Sequence, residues 1–154
     1  MKKILIAYFS ATGTTEKMAE YVAEGVRFSG QKPVAKKIGD IKDAAEIAGY
    51  DAYIFGSPTY SLDLPKPVKT FLLMAEKAGL ERKMVGAFGS YTHDVSYRHD
   101  TYAPAIIFDR LQRICKMKPF ELGPFILKEE AVETSEGMKA CQDYGKVFGE
   151  KLGS

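Results

Sequence analysis

The sequence predicts an open α/β fold, a parallel sheet of five strands with helices on both faces. Three observations predict it. Apolar, β-prone runs alternate along the chain with segments of helical spacing. The first run, KILIAYF at residues 3–9, is almost continuously apolar, as a strand covered on both faces must be. The joint that follows it, SATGTT at residues 10–15, offers hydroxyls and a glycine where a strand gives way to a helix.

The elements follow in order. After the first strand, Met18, Val22 and Val26 recur at helical spacing and predict the first helix. PVAKKI, residues 33–38, alternates like an edge strand, and GDIKDAAEIAGY offers Asp40 as the cap and Gly49 as the stop of a short second helix. DAYIFG, residues 51–56, is the third strand. SPTYSLDLPKP then leads into VKTFLLMAEKAGL, a helix whose first turn accepts the prolines before it. The fourth unit is MVGAFG at 84–89, the polar loop SYTHDVSYRHDT, and YAPAIIFDRLQRICKM with Ile107, Leu111 and Ile114 on one face. The fifth is FELGPFILK followed by SEGMKACQDYGKVFGEKL. Right-handed crossovers return each unit to the same sheet. No repeat, linker or low-complexity segment interrupts the alternation, so residues 1–154 read as one domain.

Composition agrees with a globular domain. The chain has 154 residues, 45% apolar and 12% aromatic, enough for a sizeable core. A net charge of +2 with 27% charged residues signals no nucleic-acid surface and no acidic tail. Cys115 and Cys141 lack CxxC spacing or a nearby histidine, which fits buried core residues better than a metal site or a disulfide. The start MKKILIAYF resembles a secretory signal only superficially, because SATGTTEK follows it without a small-residue cleavage pattern. No stretch approaches the roughly 20 apolar residues of a membrane span. The expectation is a cytoplasmic protein without membrane insertion.

In such a sheet ligands bind beyond the carboxyl ends of the strands, where strand order reverses. For the order 2-1-3-4-5 the loops after strands 1, 3 and 4 converge: SATGTT, SPTYS and SYTHDVSY. The first opens a helix, whose free amides and positive dipole end favour an anion. Ser10, Thr12, Thr14 and Thr15 add hydroxyls, and Gly13 admits close approach of the backbone. That chemistry suits a phosphate monoester held without a counter-ion. Serine and threonine are also ordinary helix caps, although a single cap needs a single hydroxyl. Neither GxxxxGK[ST] nor GxGxxG is present, and the acidic residues a phosphorylatable receiver needs after strands 1 and 3 are missing.

FSATGTT resembles the T/S-x-T-G-x-T phosphate loop of flavodoxins; GSPTY with LPKPVKTFL is similar to their second flavin loop, and FGSY to their third. The likeness spans essentially the whole chain. No insertion splits the fifth strand, so the chain resembles a short-chain flavodoxin, and its second and third loops are most similar to the flavodoxin-like domain of flavodiiron proteins. The resemblance implies FMN as the cofactor, with its phosphate on Ser10, Ala11, Thr12, Gly13, Thr14 and Thr15. It implies that Tyr60 lies against the flavin ring, positioned by Ser57, Pro58 and Thr59, and that Ser90, Tyr91, Thr92 and His93 form the third loop.

The chain also departs from the family pattern. Ser61 stands where flavodoxins have glycine, or asparagine in the flavodiiron group; both tolerate positive φ better than serine, which implies weaker stabilisation of a one-electron-reduced flavin. Thr92 and His93 replace Gly and Trp, and His93 or Tyr97 is the candidate for a second ring near the flavin. Relatives are strongly acidic whereas this chain is slightly basic, which implies a less negative potential and a partner that is not strongly basic. Lys66, Lys69, Arg98 and His99, interspersed with Asp63, Asp94 and Asp100, read as a solvated rim or a docking patch. The implied function is that of a non-catalytic electron carrier between redox partner proteins. The alternative is an FMN-dependent NAD(P)H:quinone-type reductase.

Overall fold

The computed structural model describes residues 1–59, 64–92 and 102–154. Its strands are β1 (Lys3–Tyr8), β2 (Lys32–Lys37), β3 (Ala52–Gly56), β4 (Met84–Tyr91), β5 (Lys118–Pro119) and β6 (Phe125–Lys128). All pair in parallel in one sheet of order β2-β1-β3-β4-β5, with β6 also on β4. The helices are α1 (Thr14–Phe28), α2 (Lys66–Ala75), α3 (Ala103–Arg113) and α4 (Ser135–Gly153).

Alternation along the central strands builds a core on each face. Leu5, Ala7, Tyr53, Phe55, Val85 and Ala87 point to one side, where Phe71 and Leu72 of α2 and Ile107 and Leu111 of α3 cover them. Ile4, Ile6, Ile54 and Phe88 point to the other, against Met18, Val22 and Val26 of α1 and Cys141, Tyr144 and Phe148 of α4. The sequence KILIAYF has little room for polar residues because both of its faces are buried.

Three elements differ from expectation. The segment 39–50 forms no α-helix; it makes two single 3-10 turns, Ile38–Asp40 and Ala44–Glu46, separated at Ile41 by extended backbone. Asp43 rather than Asp40 caps the second turn, in a reciprocal capping box with Glu46. Ile38, Ile41 and Ile47 are each anchored in the core, and so short a segment gains too few helical bonds to offset nucleation. The fifth strand comes in two pieces, β5 and β6, with a left-handed Gly123 and Pro124 between them. Helix α3 ends at Arg113, leaving Ile114 47% exposed, and Cys115 turns into the core instead. Both cysteines are buried and free, and burial pushes the Cys141 thiol up to about 12. Among the described residues no helix is long and apolar enough to cross a membrane.

The Tyr144 hydroxyl ties α4 to the sheet. It accepts from the Ala87 amide at 3.2 Å and donates to the Gly123 carbonyl at 2.7 Å, so it braces β4 and the break between β5 and β6 together. Tyr144→Phe leaves a buried amide and a carbonyl without that partner and is expected to cost about 1–3 kcal/mol, measured as a lower urea midpoint. Burial also holds the Tyr53 and Tyr144 phenols above their ordinary range. A raised folded-state value contributes stability that is complete below the unfolded value near pH 10 and is lost as pH rises through the folded one. Stability should therefore fall above about pH 10, less steeply in Tyr144→Phe, as followed by unfolding titrations at alkaline pH.

Candidate functional site

Strand register decides what meets at the carboxyl edge of the sheet. Gly56 pairs with Tyr8 on one side and Phe88 on the other, and Tyr91 pairs with Lys128. The segments that follow β1, β3, β4 and β6 therefore emerge side by side. Backbone bonds carry the ladder beyond the strands: Phe9 N–H donates to the Gly56 carbonyl at 3.0 Å, Ser57 N–H to Phe88 at 3.1 Å, and Thr59 N–H to Ser90 at 3.0 Å. Gly89 permits this closeness, since a Cβ there would lie 1.9 Å from the Ser57 carbonyl oxygen.

A cleft of about 210 Å³ opens between these segments. Ala11, Thr12 and Thr15 line it from the first loop, Pro58 and Thr59 from the second, and Ser90, Tyr91 and Thr92 from the third, with Glu129 beside them. The loops singled out in the sequence thus share one cavity. No lysine or arginine is among these lining residues.

The amino end of α1 is built to stay open. Its cap residue is Gly13, in left-handed backbone at φ 93°, and no side chain caps the helix. Ser10 serves the turn instead, its Oγ accepting from the Gly13 amide at 3.0 Å. The hydroxyls of this loop are therefore not the helix caps that serine and threonine so often are. The first-turn amides and the positive dipole end remain available to an anion. Thr15 is 1% exposed yet borders the cleft, whereas Thr14 turns to Glu129 and donates to its Oε1 at 3.2 Å.

Other predicted residues shape the walls. Ser57 is fully buried and its hydroxyl donates to the Pro58 carbonyl at 2.8 Å, so it braces the second loop without lining the cleft. Thr59 Oγ1 accepts from the Ala103 amide at 2.9 Å, fastening that loop to the start of α3. The Tyr91 ring stacks on Tyr102, with centroids 4.6 Å apart and planes at 21°. Tyr60, Ser61, His93 and Tyr97, and the charged Asp63, Asp94, Arg98, His99 and Asp100, lie outside the described residues.

Two residues went unremarked in the sequence. Tyr102, fully buried, backs Tyr91, and Glu129 follows β6 at the same edge as the other loops. The signal for Glu129 was present, because KEE directly follows the apolar run FIL and ligand sites lie beyond strand carboxyl ends. A larger cavity of about 390 Å³ lies between the turn at Ile38–Ile41 and α2. Its walls are mainly apolar, with Lys66 and Thr70 as polar exceptions, and it shares no residue with the cleft. Among the described residues no cluster of three or more histidine, cysteine or acidic side chains is arranged to hold a metal.

The sequence matches the Flavodoxin domain family over residues 5–117. The chain belongs to the flavodoxin family. Members of the family bind FMN. Among curated proteins it is similar to a flavodoxin of Clostridium saccharobutylicum, 34% identical over 88 residues, covering 57% of this chain and 55% of that protein. It is also similar to NAD(P)H dehydrogenase (quinone) 3 of Rhizobium meliloti, 29% identical over 118 residues, covering 64% of this chain and 56% of that protein. The match thus spans little more than half the length of these relatives. Oxidised flavodoxin 2 of Bacillus cereus has a similar structure, with a TM-score of 0.79 and 29% identity over 97% of this chain and 99% of that one. Flavodiiron proteins share the fold at 22–23% identity, a likeness of architecture alone.

In this flavodoxin-family chain the close approach at Gly89 spaces the second and third loops. Gly89→Ala forces β4 away from Ser57 and should cost about 1–3 kcal/mol, seen as a lower midpoint in urea unfolding.

Proposed function

We propose that this chain is a single flavodoxin-like domain that binds FMN and carries electrons between redox partner proteins. The observation that carries the reading is the uncapped amino end of α1 opening onto the cleft shared by residues 58–59 and 90–92. The residues present fit the cofactor. A phosphate monoester can accept from α1 amides and from the Thr12 and Thr15 hydroxyls without any cationic side chain. Ser10 and Gly13 hold the turn that exposes those amides, and Ser57 and Thr59 fix the second loop against β4 and α3. Pro58, Ser90, Tyr91 and Thr92 supply the walls for the ring system, and Tyr60, Ser61 and His93 are assigned to it on the family pattern. When bound, FMN supplies the electron chemistry; the chain's task is to hold it at the sheet edge and shield it from water. Two buried free cysteines support a reducing, cytoplasmic setting.

A second reading, an FMN-dependent NAD(P)H:quinone-type reductase, is favoured by the likeness to the Rhizobium quinone dehydrogenase. The two readings part in one assay. Holoprotein given NAD(P)H and a quinone, with no other protein present, consumes the nicotinamide if it is a reductase and leaves it unchanged if it is a carrier.

The absorption spectrum of the isolated protein, with identification of the released chromophore, tests the common core of both readings; FMN is expected. Thr12→Val combined with Thr15→Val should weaken FMN binding at least about tenfold, because bonds to a charged group are lost. Riboflavin affinity, measured in the same way by fluorescence quenching, should hardly change.

A further inference from the structure

Glu129 is the residue of the cleft least suited to an anion site. β6 ends at Lys128, level with Tyr91, and Glu129 opens the 3-10 turn that follows, Glu129–Ala131. Its carboxylate therefore stands at the wall of the same cleft as Thr12 and Thr15. The neighbouring Lys128 has its Nζ 3.8 Å from the Glu130 carboxylate. Among the described residues no cation lies within ion-pair distance of Glu129.

The hydrogen bonds sharpen the conflict. A hydroxyl has one proton, and an ionised carboxylate only accepts. Thr14 Oγ1 donates its proton to Glu129 Oε1 at 3.2 Å, whereas its 3.5 Å contact with Thr12 Oγ1 is longer than an O–H···O bond and leaves the Thr12 proton uncommitted. One hydroxyl of the loop, that of Thr14, is thus turned toward a resident negative charge. The same charge repels a phosphate that settles on the amino end of α1.

We propose that Glu129 sets the flavin selectivity of the site: it lowers affinity for a flavin carrying a phosphate relative to the same flavin without one, and keeps FMN exchangeable. The proposal rests on the FMN reading above. Glu129 acts on the phosphate end alone, through its charge and through the proton of Thr14. Removing the charge without changing shape should then strengthen phosphate binding selectively.

The test compares FMN and riboflavin dissociation constants, by quenching of flavin fluorescence, for the wild-type chain, Glu129→Gln and Glu129→Ala. Glu129→Gln keeps an acceptor for Thr14 and should tighten FMN about tenfold, equivalent to about 1.4 kcal/mol, with riboflavin changed less than about twofold. Glu129→Ala also releases Thr14 and should tighten FMN at least as much. Equal tightening of both flavins points to shape, and tightening in the alanine variant alone shows that the charge is without effect; either result overturns the proposal. So does FMN binding that is weakened or unaffected by Glu129→Gln while the wild-type chain binds FMN normally; that result leaves the FMN reading standing. A wild-type chain that binds no flavin removes both.

Discussion

The parallel register is the constraint from which the site descends. Because Gly56 is level with both Tyr8 and Phe88, and Tyr91 is level with Lys128, four chain segments leave the sheet along one edge. A slip of one residue in any pairing would turn that strand's side chains to the opposite face. It would also separate Thr12 and Thr15 from Thr59 and Ser90. Ladder bonds from Phe9, Ser57 and Thr59 hold the register past the strand ends, into the loops themselves. The cleft is a by-product of sheet geometry before it is a matter of loop chemistry.

The core makes that register hard to lose. Alternate residues of β1 and β3 belong to different clusters, Leu5 and Tyr53 facing α2 and α3, Ile4 and Ile54 facing α1 and α4. Shifting one strand would exchange residues between two packed layers that interdigitate with different partners. Tyr144 adds a polar link across the same boundary, since its hydroxyl joins the Ala87 amide to the Gly123 carbonyl. Stability and site precision therefore share their determinants, and β4, which touches both clusters and contributes Ser90 and Tyr91, carries most of that shared burden.

What the sequence disclosed follows from which signals are local. The apolar run at 3–9 and the spacing of Met18, Val22 and Val26 are local patterns, and each falls where the structure has it. SATGTT was legible as the joint between a strand and a helix because strand, glycine and helix adjoin in the chain. Less local properties were harder to read. Whether 39–50 coils into a helix depends on Ile38, Ile41 and Ile47 being held by the core, and that competition is tertiary. Ile114 looked like the next residue of a helical stripe, yet the helix stops one residue earlier. Glu129 belongs to the site only because β6 is level with β4 at Tyr91, a pairing between residues far apart in the chain. Thr14 looked equivalent to its neighbours for the same reason, its partner being 115 residues away.

An anion site made of amides and hydroxyls has a bounded strength. The amino end of a helix is equivalent to about half a positive charge, and hydroxyls add direction more than field. Against so modest an attraction a single carboxylate is a large opposing quantity, which an arginine or lysine in the loop would have made minor. The net charge of +2 does not alter this balance, because surface charges beyond about 10 Å are screened at ordinary salt whereas Glu129 stands at the cleft wall. The absence of cations from SATGTT and the presence of Glu129 opposite it therefore belong together. On the FMN reading proposed above, the first makes binding depend on dipoles in direct contact, and the second would give one side chain leverage over how tightly those dipoles hold.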